Sequence, residues 1–391
     1  MDRLRTTLSA YQTVSLVSSS YLPVMFWFFP AVAVDYAKFD AQWAVLGVAL
    51  VGCFSAWIQG ALNERFPDMV GTDAHQLVFG KWLGKLIIWM YVPPYILFLG
   101  LTLYFGINLF KYYFPATPQY AIGAMLIAVS WRGAWLGIET LGRVATVIFT
   151  LSATGMLAAF IALYMQADKH WMSHTVAQPT AVFEGVYHLF PLYFGLNLVI
   201  ALSPYYKHRK NTSIWYPVLS TTLAGSMIFI LFCAVVANLG WMPLTKLTYP
   251  VQMALQLLRP QGFLIERLGV VIIVLSVGLG SVFQSNHIWA LSTVIARLMG
   301  QPDDRFRRFT GVIVICEYLI ALSISNPAQA RQMENYILSP FSWLLLIITP
   351  GIELLLAYVR GIKTGDGGGR TPNGKPPQGD RQYREMYKTR T

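Results

Sequence analysis

Long apolar stretches alternate with short polar loops along most of this chain. Ten of the stretches have roughly the twenty residues that an α-helix needs to cross a bilayer. The pattern therefore predicts an all-α polytopic membrane protein, whose fourth and ninth spans are short and lie close to charged residues. The predicted spans are 12–34, 41–62, 83–112, 118–136, 140–166, 183–203, 215–241, 264–295, 309–325 and 336–358.

The sixth stretch, FEGVYHLFPLYFGLNLVIALSP at Phe183–Pro204, is interrupted in its middle by Pro191, Gly195 and Asn197. A proline removes a backbone donor and clashes with the preceding turn, and lipid offers no replacement partner. The freed backbone groups must face protein, water or a ligand. The segment is therefore either a proline kink packed against its neighbours or a broken helix that forms a binding site.

The order of the spans predicts an internal repeat. Each half has five spans, and in each half a loop of about twenty residues with an amphipathic pattern, 63–82 or 242–263, precedes a long third span. Because five is odd, the second copy enters the membrane inverted relative to the first, as in inverted-repeat transporters. The repeats extend over about 8–166 and 183–358, with broken helices one and six at corresponding places. Span one carries its own prolines, Pro23 and Pro30.

Composition excludes an ordinary soluble domain, with 55% hydrophobic and only 12% charged residues. The net charge of +11 does not indicate nucleic-acid binding, because the basic residues are scattered over short loops and a tail.

Most lysines and arginines lie on the side of both termini, which places both termini in the cytoplasm. The cluster Lys207–Lys210 is the sharpest anchor. Residues 1–362 form the membrane domain, and the Pro/Gly-rich basic tail 363–391 is predicted to be disordered. A cleaved signal peptide ending near Ala31-Val32-Ala33 is an alternative reading of the N-terminus.

Enzymatic chemistry is not indicated. The sequence shows no phosphate-binding glycine loop, no zinc-ligand spacing and no serine–histidine–acid arrangement, so we predict a protein that is not an enzyme and has no cofactor or metal. The cysteines Cys53, Cys233 and Cys316 all fall in apolar spans and read as small core residues.

Ionisable residues within or beside the spans are costly unless paired or functional. Glu139 and Arg143, four residues apart, are predicted to pair. Glu317 and Glu353 are read as hydrogen-bonded buried acids, with proton transfer or contact with a partner subunit as alternatives. His188 is read as a packed, neutral histidine.

Several motifs together resemble one family. These are ERFPDM at Glu64–Met69, FGKWLGKLII at Phe79–Ile88, GIETLGR at Gly137–Arg143 and TYPVQMALQLLRPQGFLIERLGVVII at Thr248–Ile273. In order and spacing they resemble the spore germinant-receptor B-subunit family, a branch of the amino acid–polyamine–organocation transporter superfamily. The resemblance covers nearly all of the first 360 residues.

The resemblance implies the five-plus-five inverted repeat and a nutrient, commonly an amino acid, bound mid-membrane between spans one, three, six and eight. It also implies the inner membrane of a dormant spore, and germinant-receptor A and C subunits as partners. A broken helix offers N–H groups to a carboxylate and carbonyls to an ammonium, and aromatic side chains form the wall. The predicted ligand-binding residues are Ser20, Tyr21, Leu22, Tyr91, Tyr95, Phe190, Leu192, Tyr193, Gly195, Ser281, Gln284 and Ser285.

Span one departs from the family pattern, because Ser18–Met25 contains no glycine where the family usually has one. This suggests a smaller or altered pocket. A secondary amino acid transporter working by alternating access remains the alternative function, since it needs the same fold and site.

Overall fold

The computed structural model describes residues 8–21, 29–67, 69–172, 175–205, 212–257 and 268–364, and the regular structure in these ranges is helical. Leu22, Pro23, the cluster Lys207–Lys210 and the tail from residue 365 onward lie outside the described residues. The helices are α1 Ala10–Ser19, α2 Phe29–Ala37, α3 Ala41–Arg65, α4 Gly71–Phe79, α5 Lys81–Tyr113, α6 Gln119–Leu136, α7 Ile138–Gln166, α8 Pro179–Leu189, α9 Asn197–Leu202, α10 Thr212–Leu239, α11 Trp241–Leu244, α12 Pro250–Leu257, α13 Leu268–Leu298, α14 Arg307–Ser323, α15 Pro327–Met333, α16 Ser339–Trp343 and α17 Thr349–Val359.

Six helical stretches of the described chain are long and apolar enough to cross a membrane. This finding confirms the prediction of an all-helical, multi-pass membrane protein. It does not confirm the predicted number of ten spans. The six stretches are Phe29–Arg65, Lys81–Tyr113, Ile138–Gln166, Pro179–Tyr205, Ser213–Leu239 and Pro327–Val359.

The sixth stretch is interrupted as predicted, whereas only the start of the interruption predicted in the first stretch falls within the described residues. α1 ends at Ser19, and Ser20 and Tyr21 form a turn. In the sixth stretch, α8 gives way at Phe190 to a 3-10 segment, Phe190–Leu196, before α9 begins. Pro191 lies in the first turn of the 3-10 segment, where its missing N–H costs least.

The helices pack in pairs that occur twice along the chain. α5 packs against α14, and α13 packs against α6; likewise α3 packs against α8, and α10 against α1. Moving each helix by five predicted spans along the chain turns the α5–α14 pair into the α13–α6 pair. The same shift turns the α3–α8 pair into the α10–α1 pair. α3 and α10 also pack extensively against one another.

The short amphipathic segments before the long third spans are also helical. α4 precedes α5, and α12 precedes α13, although residues 258–267 between that second pair are not described. α4 ends at Gly80, whose φ of 90° is accessible to glycine without strain, so the chain turns back sharply into α5. Gly84 then lets α5 approach the α4 backbone closely at His75 and Gln76.

The last membrane stretch is a continuous helix with two π-helical segments, Glu334–Leu338 and Leu344–Ile348. π-segments widen a helix locally and often occur at functional sites. The second lies beside the cavity described below, because Leu345 contributes to its wall.

Candidate ligand site

The interruptions in the first and sixth stretches touch one another. A Cβ added to Gly195 would meet the Ser20 carbonyl oxygen, and would lie 2.8 Å from Tyr21 Cδ1 and 2.9 Å from the Ser20 carbonyl carbon. Tyr21 and Tyr193 pack with ring centroids 5.8 Å apart. The two backbones are in contact here because Gly195 has no side chain, so Ser20, Tyr21, Tyr193 and Gly195 form one group.

Asn286 of α13 links this group to a third element. Its side-chain Nδ2 lies 3.3 Å from the Leu16 carbonyl oxygen and 3.3 Å from the hydroxyl oxygens of Ser19 and Ser20. The amide thus donates to oxygens at the end of α1, in addition to the bonds that the Ser19 and Ser20 hydroxyls donate to the Leu16 carbonyl oxygen at 2.9 Å. The break of the first helix is therefore fixed to α13 through a side chain.

A layer of packed aromatic rings lies between α5, the 3-10 segment and α13. Phe98 stacks on Phe194 with centroids 4.8 Å apart, and Phe283 packs edge-on against His287 at 4.5 Å. The Tyr95 hydroxyl lies 2.5 Å from His287 Nδ1. All five side chains are buried, so this layer is a rigid wall rather than an open pocket.

A cavity of about 70 Å³ adjoins this layer at Tyr95. That volume holds several water molecules or a small organic group. Five polar or titratable side chains, Thr72, His75, Tyr91, Tyr95 and Asn197, interrupt a mostly apolar wall. The lining residues are Gly71, Thr72, His75, Ile88, Tyr91, Val92, Tyr95, Asn197, Ile200, Ala290, Leu291, Val294 and Leu345.

The three predicted residues of α13 lie elsewhere. Ser281 and Gln284 line a second cavity of about 60 Å³ between α5, α6 and α13. Gln284 Nε2 donates to Thr102 Oγ1 at 2.8 Å, and Ser285 Oγ donates to the carbonyl oxygens of Ser130 and Ser281 at 3.0 and 2.6 Å. The structure therefore does not bring these residues together with Tyr91 and Tyr95.

Two further predicted residues are buried around the 3-10 segment. Phe190 packs against Trp343 of α16 with centroids 4.7 Å apart. Leu192 is a buried core residue. Neither is among the residues that line the two cavities described above, and Leu22 lies outside the described residues.

Sequence reasoning missed the groups that complete the cavity and the layer. Phe194 lies between the predicted residues Tyr193 and Gly195, and Asn197 lies two residues beyond Gly195, so a continuous run extended to Asn197 would have included both. His75 lies in the amphipathic loop, which the sequence assigned only a repeat-defining role. No sequence pattern predicts the role of Asn286, because that role depends on where the end of α1 lies relative to α13.

The ionisable residues considered from sequence have definite partners or positions. Arg143 donates to Glu139 at 2.6 Å, but both side chains are more than half exposed, so their predicted pairing is a surface feature. Glu317 and Glu353 are buried, as predicted, but the carboxyl group of Glu317 has no hydrogen-bond partner among the described residues. His188 stacks on Tyr36 at 3.9 Å, as expected for a packed histidine.

The charges around α4 are buried. Arg297 of α13 donates to Asp73 in a salt bridge, and His75 Nδ1 lies 2.9 Å from Glu353 Oε2 of α17. Burial alone would lower the pKa of His75, but the nearby Glu353 carboxylate and the Gly71 carbonyl outweigh that effect and raise it. Among the residues described, no three His, Cys, Asp or Glu side chains cluster as a metal site requires.

Known proteins share this fold. The structure resembles MhsT in complex with L-phenylalanine (14% identity over 91% of this chain and 99% of that chain, TM-score 0.63). It also resembles Mhp1, a nucleobase-cation-symport-1 family transporter, in a closed conformation with bromovinylhydantoin bound (11% identity, 90% and 80% coverage, TM-score 0.61). A manganese transporter of Eremococcus coleocola is similar at 12% identity, with 97% and 84% coverage and a TM-score of 0.55. At these identities the likeness shows the fold alone.

No curated protein sequence matches the chain. The sequence profile of the spore germination protein family (Spore_permease) matches residues 7–330, which is most of the chain. The protein is therefore a multi-pass membrane protein that belongs to the spore germination protein family.

Proposed function

We propose that this chain is the nutrient-sensing membrane subunit of a spore germinant receptor, with an amino acid as its most suitable ligand. The observation that carries the proposal is the contact between the two helix interruptions at Ser20 and Gly195, in a chain of the spore germination family. Interrupted helices that face each other expose backbone donors and acceptors where lipid would supply none. Such groups match the two charged ends of a zwitterion.

The ligand site in this proposal combines the contact of the two interruptions with the cavity beside it. Tyr91 and Tyr95 contribute cavity wall, and Asn197 of α9 adds an amide. Ser20, Tyr21, Phe190, Leu192, Tyr193 and Gly195 shape the interrupted backbone, with Leu22 next in sequence. A contribution from Ser281, Gln284 and Ser285 requires a ligand large enough to reach the second cavity.

The membrane arrangement in this proposal has ten spans in a five-plus-five inverted repeat. The recurrence of the helix pairs, α5 with α14 and α13 with α6, supports the repeat. In this proposal both termini lie on the cytoplasmic side of the spore's inner membrane, because lysine and arginine are in excess on that side of the chain. The ligand-bound state acts on germinant-receptor A and C subunits by favouring one of two conformations.

A secondary transporter is the second candidate function. The fold itself favours it, because the similar structures are of transporters. A transporter must open its site to each side of the membrane in turn, whereas a sensor needs only two states that its partners distinguish.

Two experiments separate these functions. In the first, the full chain is purified from spore membranes, and stable association with A and C subunits supports the receptor. In the second, the lone chain in liposomes is offered radiolabelled L-amino acids from a panel. We expect no accumulation above protein-free liposomes, and robust uptake would overturn the receptor proposal in favour of transport.

A further inference from the structure

Four ionisable side chains are buried together around α4, at the edge of the cavity. Asp73, His75, Arg297 and Glu353 come from α4, α13 and α17, and each is less than about a tenth exposed. Buried ionisable groups in a membrane protein are costly unless they are paired, and unpaired ones usually serve a function. Their pairing therefore decides what this cluster does.

Asp73 and Arg297 balance one another. Their salt bridge joins α4 to the end of α13 with no net charge. This pair therefore anchors α4 to α13.

His75 and Glu353 differ, because their total charge depends on one proton. A neutral imidazole beside a carboxylate leaves one negative charge buried, whereas one added proton makes the pair neutral overall. His75 Nδ1 lies 2.8 Å from the Gly71 carbonyl oxygen and 2.9 Å from Glu353 Oε2, so Nδ1 carries a hydrogen and Nε2 takes up the exchanging proton. Neither carboxylate oxygen of Glu353 has a hydrogen-bond partner among the described residues, so its contact with His75 is electrostatic.

The surroundings of the pair favour holding that proton. The charged groups packed nearest, Asp73 and Arg297, cancel, and α9 has no ionisable residue. The apolar cluster between α3, α4 and α17 excludes water on the other side. The facing ionisable groups are Tyr91, Lys81 and Lys85 of α5, Glu353 of α17, Arg297 of α13, Asp73 of α4 itself, and Arg360, which donates to the Val78 carbonyl oxygen at 2.8 Å.

His75 also forms part of the cavity wall, beside Thr72 and Tyr91. α4 packs against α5, α9, α13 and α17, and these helices or the π-segment before α17 build the rest of that wall. A change in cavity filling therefore changes the hydration of the imidazole, and a change in its charge alters how α4 is held. The two events act on one short helix.

We propose that the His75–Glu353 pair is a proton-binding site that takes one proton per chain, and that filling the adjacent cavity changes its affinity for that proton. The proton comes from water and no other bond is made or broken. The proposal does not depend on which solute fills the cavity or on partner subunits.

The test is a pH titration of the full chain, labelled with ¹³C-histidine, in lipid nanodiscs by infrared difference spectroscopy. Subtracting the spectra of H75Q isolates the His75 signal from those of the other histidines. We expect E353Q to lower the pH of half-titration by about one to three units, since it removes the neighbouring negative charge. E139Q, which changes an exposed pair, is the matched control and should leave the midpoint unchanged. A wild-type midpoint equal to that of E353Q overturns the site.

Coupling to the cavity is tested by Ala290→Val and Ala290→Leu, because Ala290 lines the cavity and is remote from Glu353 in sequence. Filling the cavity removes water that hydrates the imidazolium, so the midpoint should fall. An unchanged midpoint in both variants overturns the coupling. If E353Q does not fold, H75Q/E353Q removes both partners and is the replacement. It should take up one proton fewer than wild type in a potentiometric titration, and equal uptake would overturn the site.

Discussion

Gly195→Ala is the sharpest single test of the contact between the two helix interruptions. The added methyl group would meet the Ser20 carbonyl oxygen and lie 2.8 Å from Tyr21 Cδ1. Real Cβ atoms essentially never approach other atoms this closely, so something must move. Because the obstacle includes backbone, no flexible side-chain end can relieve the overlap.

The expected cost follows from overpacking. Forcing one extra carbon into a tightly packed interior typically costs about 1–3 kcal/mol, here by separating the 3-10 segment from the end of α1. The Asn286 amide bonds to Leu16, Ser19 and Ser20 oppose that separation. We therefore expect the free energy of unfolding in an SDS titration to fall by that amount, and the half-saturating nutrient concentration to rise.

Gly311→Ala is the matched control. Gly311 is a helical glycine of α14 and a Cβ there would meet no atom within 4 Å. Alanine in a helix interior is favoured over glycine by about 0.5–1 kcal/mol, so this variant should be slightly more stable and respond normally. If G195A is as stable as wild type and germinates with an unchanged nutrient profile, the two interruptions do not form the site.

Three further predictions concern single side chains. The Tyr193 hydroxyl is buried without a hydrogen-bond partner among the described residues, so Tyr193→Phe should raise the free energy of unfolding by about 1 kcal/mol in the same SDS titration. A loss of nutrient response in this stabilised variant would show that the hydroxyl contacts the ligand. A loss of stability would contradict the absence of a partner. Asn286→Leu should destabilise by about 1–3 kcal/mol, since it removes the amide that joins α13 to Leu16, Ser19 and Ser20. Asn108→Leu, which loses only a bond within α5, should cost less, and equal losses would refute the bridge. The folded state holds the His75 proton more tightly than the unfolded chain does. This stabilisation is complete below the ordinary histidine pKa of 6.5 and is lost as pH rises through the raised pKa of the folded state. The unfolding temperature of wild type should therefore fall toward that of H75Q with rising pH, and a constant difference between the two temperatures would refute the raised pKa.

Periodicity and proline placement predicted the elements of this fold well. Apolar runs set helix boundaries within a few residues, as for 83–112 against Lys81–Tyr113. Pro191 and Gly195 marked the interruption of the sixth stretch, because proline and glycine act on the local backbone. The sequence also indicated the short helices before α5 and α13 through their amphipathic pattern. These are local properties, and a single segment contains them.

The site was predicted less completely, because it depends on which faces of distant helices meet. Ser281 and Ser285 share a helical face, and the sequence could not show that this face turns toward α6 at Ser130. His75 could not be matched with Glu353, since the two are far apart in sequence and meet only when α4 folds back onto α17. Helical spacing thus shows which side chains share a face of one helix. It does not show which neighbouring helix that face contacts.

The aromatic layer and the cavity together constrain how a ligand can signal. Tyr95 belongs to both, and its hydroxyl is held by His287 at 2.5 Å. A ligand that displaces this bond must rotate Tyr95 against Phe98 and Phe194, which stack tightly at 4.8 Å. A close-packed layer responds to such a push by a step between discrete arrangements rather than by a gradual shift. On the other side of the same cavity, α4 is held by one fixed ion pair and one protonatable pair. Under the proposed function, a ligand in a cavity this small would act in two directions, toward the interrupted helices through Tyr95 and toward α13 and α17 through α4.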